Sequence, residues 1–94
     1  MVTEFANDPA RSIYRLDIDG RTAAFIEYTH EDGVIDLLHT IVTPSHRGQG
    51  LGGEIVRRAL DDIRANSTDR LVVHCSFAKS WLEEHPEYDD LTRR

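Results

Sequence analysis

The run His46-Arg47-Gly48-Gln49-Gly50-Leu51-Gly52-Gly53 constrains this chain more than any other segment. Four glycines fall within six residues. They stand directly ahead of a stretch in which Leu51, Ile55, Val56, Ala59, Leu60 and Ile63 recur at helical spacing. Glycine is unfavourable in a helix, so this density needs a compensating role. Glycines allow backbone N–H groups to approach a ligand closely. A helix N-terminus adds unpaired donors and about half a positive charge. Arg47 adds a guanidinium that can fork onto phosphate oxygens. The segment reads as an anion site; a glycine-rich turn without a ligand is the plainer alternative.

What precedes the loop limits the fold. Ile13–Ile18, Thr22–Thr29 and Val34–Thr43 read as three strands. Asp19-Gly20 and Asp32-Gly33 between them supply the positive φ angles of tight hairpins. The third strand is apolar on both faces, as a central strand is, and Pro44 ends it. After the helix, which fades at Asn66-Ser67-Thr68, Leu71-Val72-Val73-His74-Cys75 reads as a short strand. Ser76 is a candidate cap for a second helix carrying Phe77, Ala78, Trp81 and Leu82, and Pro86 stops that helix. Met1–Arg11 lacks periodicity and reads as a loose N-terminal arm. The expected order is β-β-β-α-β-α, an α+β/α/β mixed class. A right-handed crossover places the last strand parallel to the third. The sheet is then mixed, with three antiparallel strands plus one parallel strand, in a single domain spanning 1–94.

This topology sorts the glycine motifs. No Gly-Lys-Ser/Thr ending is present, which excludes a Walker loop. Gly48-x-Gly50-x-x-Gly53 formally matches a dinucleotide fingerprint. Such folds, however, place that loop after their first strand, and here three strands come first.

Bulk properties remove other classes. The net charge of −6 argues against general nucleic-acid binding and suits a basic or amine partner. No stretch approaches the ~20 apolar residues of a membrane span, and the first residues lack the order of a signal peptide. Cys75 is the one cysteine, so no disulfide forms within the chain. A reducing cytoplasm is the expected location. The five histidines and one cysteine show no finger-like ligand spacing, and no metal is expected.

The segment Val42-Thr43-Pro44-Ser45-His46-Arg47-Gly48-Gln49-Gly50-Leu51-Gly52 resembles the pyrophosphate loop of GNAT N-acetyltransferases, Arg/Gln-x-x-Gly-x-Gly/Ala after a Val-x-Pro strand end. His39-Thr40, Cys75-x-Phe77 and His85-Pro86-x-Tyr88-x-x-Leu91 are similar to a subgroup of very small, single-domain GNAT-like proteins. The resemblance runs from about Ser12 to Leu91 and implies a minimal GNAT-like fold that binds acetyl-coenzyme A. It implies acetyl transfer to a small amine or peptide acceptor; the alternative is a non-catalytic CoA-binding sensor or subunit. The cofactor would lie between two splayed parallel strands. Arg47, Gly48, Gln49, Gly50, Leu51 and Gly52 would hold its pyrophosphate. Its pantetheine arm would pair near Ile41 and Val42, and the Val42 N–H would polarise the thioester carbonyl.

Three departures from the family pattern stand out. Full-size members carry two helices after the first strand and further strands at the C-terminus, which build the acceptor pocket. Here that pocket would be open, or completed by a protein partner or a second copy in a homodimer. A Tyr that protonates the leaving thiolate corresponds to Leu82, and a Glu of the small subgroup to Ile41. The candidate catalytic residues are therefore Cys75, as acyl relay or thiolate proton donor, and His39, as acid–base group. If His39 approaches Cys75 it could generate a thiolate. The plainer alternatives are a small buried hydrophobe for Cys75 and a core histidine for His39. By strand alternation His74 faces away from Cys75 and reads as structural.

Overall fold

Two hairpin turns organise the first half of the fold. In the computed structural model, which describes residues 3–94, Asp19 and Gly20 adopt φ of 50° and 82°, and Asp32 and Gly33 adopt 52° and 75°. These left-handed pairs twist the chain as a two-residue hairpin requires. They connect β2 (Ile13–Ile18), β3 (Arg21–Glu31) and β4 (Val34–Val42) into an antiparallel meander.

The N-terminal segment is not a loose arm within the described residues. Thr3–Asp8 forms a strand, β1, paired antiparallel with β2 from Thr3↔Ile18 to Asp8↔Ile13. Its alternation was hidden because only Phe5 is large and apolar. Phe5 stacks on Tyr14 with centroids 6.1 Å apart. Asn7, on the same face but exposed, accepts a 2.6 Å hydrogen bond from the Tyr28 hydroxyl, which gives that buried phenol a partner. On the other face Arg15 donates to Asp8 at 3.0 Å and to Asp17 at 3.1 Å, tying the strands together.

Helix α1 (Leu51–Asn66) crosses from β4 to β5 (Arg70–Val73), which pairs parallel to β4. The sheet order is β1-β2-β3-β4-β5. Helix α2 (Ser76–Glu83) follows with Cys75, not Ser76, at its N-cap position. A 3-10 helix over Pro86–Arg93 then returns Tyr88 and Leu91 to the core.

All helical elements pack on one sheet face. Ile55, Val56, Ala59, Leu60 and Ile63 of α1 join Tyr14, Leu16, Ile26, Ile35 and Leu37 of the sheet in a single buried cluster. Ala78 of α2, Tyr88 and Leu91 complete it. The Tyr88 hydroxyl donates to Asp61 at 2.7 Å, fastening the C-terminal segment to α1. Arg57 lies over the Trp81 ring at 5.6 Å rather than against Asp61, which the helical spacing suggests; Glu54 and Arg58 do pair, at 3.8 Å. Among the described residues no helix covers the other sheet face, where Glu27, Asp36, His39, Ile41 and His74 stand.

Candidate functional site

The site begins at an irregularity in β4. Tyr28 pairs with Leu37 and Glu27 with His39, so Leu38 is an extra residue, a β-bulge. The parallel pairing with β5 ends at the same place, at Leu37↔Val73. The Leu37 carbonyl accepts from both His74 N–H and Cys75 N–H at 2.9 Å. Beyond it β4 continues without β5 for Leu38–Val42, paired to β3 only, while the chain turns into α2. The sheet opens there into a cleft of about 450 Å³ lined by Glu27, His39, Thr40, His74, Cys75 and Phe77 among others.

Antiparallel alternation decides which backbone groups face this opening. Thr43 donates its N–H to the Ala23 carbonyl at 2.9 Å. Stepping back by two along the ladder, Ile41 and His39 also turn their backbone groups to β3. The N–H and C=O groups of Val42 and Thr40 therefore point to the side that β5 has vacated. Ile41 directs its side chain, 38% exposed, to the uncovered sheet face.

At the far end of β4 a single 3-10 turn, Pro44–His46, leads into the glycine loop. The four glycines divide by cause. Gly48 and Gly50 have φ of 82° and 75° with open space where a Cβ would sit, so the left-handed backbone selects them. Gly52 and Gly53 are selected by packing: a Cβ would meet the Phe77 ring at 2.8 Å and the Trp81 ring nitrogen at 3.3 Å. Gly50 is the N-cap of α1 and carries no side-chain cap. The first-turn N–H groups thus lack the usual hydroxyl or carboxylate acceptor. Arg47 is exposed beside them.

A profile of the family described as GCN5-related N-acetyl-transferase matches residues 13–91. The chain belongs to that family. Among solved structures it is similar to the ribosomal-protein-S18-alanine N-acetyltransferase from Escherichia coli, with a TM-score of 0.62 and 21% identity. That match covers 77% of this chain and 49% of the other, so this GNAT chain spans about half the length of that relative. A search of curated proteins finds no match. The mixed sheet with its parallel β4–β5 pair is the GNAT arrangement read from the sequence, extended by β1.

The candidate catalytic residues lie in the cleft but apart from each other. Cys75 is buried, and its Sγ lies 3.1 Å from Thr40 Oγ1. Thr40 pairs with Ile26, on the helix-covered face. His39 pairs with Glu27 on the opposite face. The hydrogen-bond partner of Cys75 is therefore Thr40 and not His39. Phe77, grouped by helical spacing with the buried Ala78, is itself 47% exposed, with its ring lying on Gly52 at the junction of cleft and loop. His46 is held locally by Thr43 Oγ1 at 2.9 Å.

Two pairings lay beyond sequence reasoning. The Thr40–Cys75 contact spans 35 positions. His74 Nδ1 lies 2.7 and 2.8 Å from the two oxygens of Asp36, 38 positions away. Only the parallel register reveals the second: Asp36 pairs with Val72, which makes His74 its diagonal neighbour on the same face.

Proposed function

We propose that this chain transfers an acetyl group from acetyl-CoA to an amine acceptor. One observation carries the reading. The β4–β5 ladder ends at Leu37, which leaves the backbone groups of Thr40 and Val42 without strand partners, in line with an uncapped helix N-terminus. An amide-bearing pantetheine arm can replace the missing strand, as peptides do at open sheet edges. The diphosphate then meets the α1 N-terminus, where the N–H groups of Leu51 and Gly52 and the Arg47 guanidinium favour it. Gly48, Gln49 and Gly50 form the turn that brings them there. The donor set suits CoA: neutral hydrogen-bonding backbone along the arm and positive charge at the diphosphate.

Acetyl-CoA supplies an activated thioester. The chain's own residues hold and polarise it. The Val42 N–H, turned into the cleft, stabilises the developing oxyanion. Cys75 Sγ, at the floor of the cleft beside Thr40, protonates the departing thiolate. His39, on the uncovered face, lines the acceptor approach. That face and the net charge of −6 suit a cationic acceptor, a small amine or a peptide amine. A second protein or a second copy of the chain completes the acceptor wall over the uncovered sheet. A reducing cytoplasm preserves the free Cys75 thiol.

The test is a thermal-unfolding series with acetyl-CoA, CoA, ATP and NAD, followed by turnover on an amine panel. At a hundredfold excess over Kd a ligand stabilises by about 2.7 kcal/mol, a rise of roughly 10 °C in so small a domain. Acetyl-CoA and CoA are expected to give this rise, and Arg47→Ala to abolish most of it. Binding without turnover on any amine would favour a non-catalytic CoA-binding module. Acetyl on Cys75 by mass spectrometry would replace direct transfer with a relay. No rise with either CoA species would overturn the reading.

A further inference from the structure

We infer that Asp36 and His74 form a carboxylate–imidazole dyad in which His74 is the base that deprotonates the acceptor amine; this rests on the acetyl-transfer reading above. The geometry has three parts.

The first is orientation. A carboxylate can only accept, so the short contacts from His74 Nδ1 to both Asp36 oxygens, 2.7 and 2.8 Å, place the ring proton on Nδ1. In the neutral ring Nε2 then carries the free lone pair. The Asp36 side chain is 19% exposed and the His74 side chain 69%. The carboxylate is thus the shielded, fixed member and the imidazole the open one. Among the described residues His39 makes no side-chain hydrogen bond, so nothing comparable fixes its tautomer.

The second is position. His74 lines the same cleft as Cys75. The two are adjacent in sequence and alternate across the sheet plane. Cys75 lies on the helix-covered side and His74 on the uncovered side. An acetyl group held in the gap between β4 and α2 therefore has a thiol on one side and an imidazole on the other. The leaving sulfur belongs on the first side, and an acceptor arriving from solvent on the second.

The third is charge. The groups facing His74 across the uncovered face are Asp36 and His39 on β4, Glu27 on β3 and Arg70 at the far end of β5. Glu27 and Asp36 flank the approach of an ammonium group. An aliphatic amine at neutral pH is mostly protonated and cannot attack in that form, so a base at its point of entry raises the reactive fraction.

His74 Nε2 takes one proton from the acceptor ammonium and releases it to solvent. The freed nitrogen lone pair forms the N–C bond to the acetyl carbon. The C–S bond breaks, and the sulfur leaves with the electron pair and takes the Cys75 proton. The new amide nitrogen loses its second proton to solvent, and Cys75 regains one from solvent. The net products are the acetylated amine, free CoA and one proton.

The experiment compares the full chain with His74→Ala and Asp36→Asn. Acceptors are spermidine, a lysine-bearing peptide and a peptide with a free N-terminus. His74→Ala is expected to lower kcat/KM about 100-fold or more while the acetyl-CoA-induced rise in Tm stays as in the unaltered chain. Free imidazole is expected to restore part of the rate, because the vacated position is open to solvent. Asp36→Asn is expected to lower kcat/KM about tenfold, within the range for a group that positions another. Turnover by His74→Ala within twofold of the unaltered chain would overturn the dyad and leave acetyl transfer standing. An unaltered chain that binds acetyl-CoA but acetylates none of the three acceptors would overturn the acetyl-transfer reading, and the dyad with it.

Discussion

The two halves of β4 obey different rules. From Val34 to Leu37 the strand is paired on both sides, and Ile35 and Leu37 are buried under α1. From His39 to Val42 it is paired to β3 alone, and its side chains are partly or fully exposed. One inserted residue, Leu38, separates the halves. The first half holds the fold together. The second half has backbone groups and a cleft in place of a neighbour. Under the acetyl-transfer reading, the binding site arises by ending a ladder early, not by adding a separate element.

The sharpest way to break this contrast is to truncate one side chain in each half. Leu37→Ala leaves a cavity in a fully buried position and is expected to cost about 2–5 kcal/mol. Ile41→Ala removes a side chain already 38% exposed and is expected to cost no more than about 0.5–1 kcal/mol. Urea unfolding midpoints measure both. Equal losses would mean that the second half is packed as tightly as the first.

Proton linkage draws the same boundary. Burial is the first cause that raises the Tyr14 phenol far above its ordinary value, with Tyr28 and Asp62 adding to it. Burial likewise raises Tyr28. A raised phenol pKa means that the folded state holds its proton after the unfolded state has lost it. Stability from these groups is fully present below about pH 10, the unfolded value, and is lost as pH rises above it. The urea midpoint is expected to be level up to about pH 9 and to fall above about pH 10. In Tyr14→Phe the fall should be shallower. An unchanged alkaline fall in that variant would place its cause outside Tyr14.

The order of β2 to β5, both hairpins, the crossover and the glycine loop ahead of α1 were legible in the sequence because each rests on local signals: Asp-Gly pairs, helical periodicity, glycine before a helix. What stayed hidden depends on pairing between distant segments. Thr3–Asp8 carries one large apolar residue, and its exposed Asn7 gains a role only once the Tyr28 hydroxyl reaches it. The Leu38 bulge leaves no mark in composition, yet it determines that Thr40 and not His39 shares a face with Cys75. His74 was correctly placed opposite Cys75 by alternation. Its Asp36 partner required the parallel register. Phe77 reads as core by its helical position, but the absence of a Cβ at Gly52 lets its ring settle on the first turn of α1 instead.

That last contact can be probed directly. Gly52→Ala places a Cβ against the Phe77 ring, and overpacking of this kind is expected to cost about 1 kcal/mol, the low end for such changes, because a half-exposed ring can swing away. In the Phe77→Ala background the same substitution should cost less, with a coupling of about 0.5 kcal/mol or more. Additive losses would show that the glycine is demanded by something other than the ring.

The smallest expected effect separates side chain from backbone in the open half of β4. Thr40→Val keeps shape and β-branching but removes the Oγ1 that lies 3.1 Å from Cys75 Sγ. Sulfur is a weak hydrogen-bonding group, so the loss of stability is expected to stay below about 1 kcal/mol. The backbone N–H and C=O of residue 40 remain where the ladder to β3 puts them. If the ligand's arm pairs with backbone, the rise in Tm with acetyl-CoA should be the same in this variant as in the unaltered chain. A loss of that rise would assign the contact to the hydroxyl. The second half of β4 would then act through its side chains, as the first half does, and the contrast between unpaired backbone and packed core would no longer describe the strand.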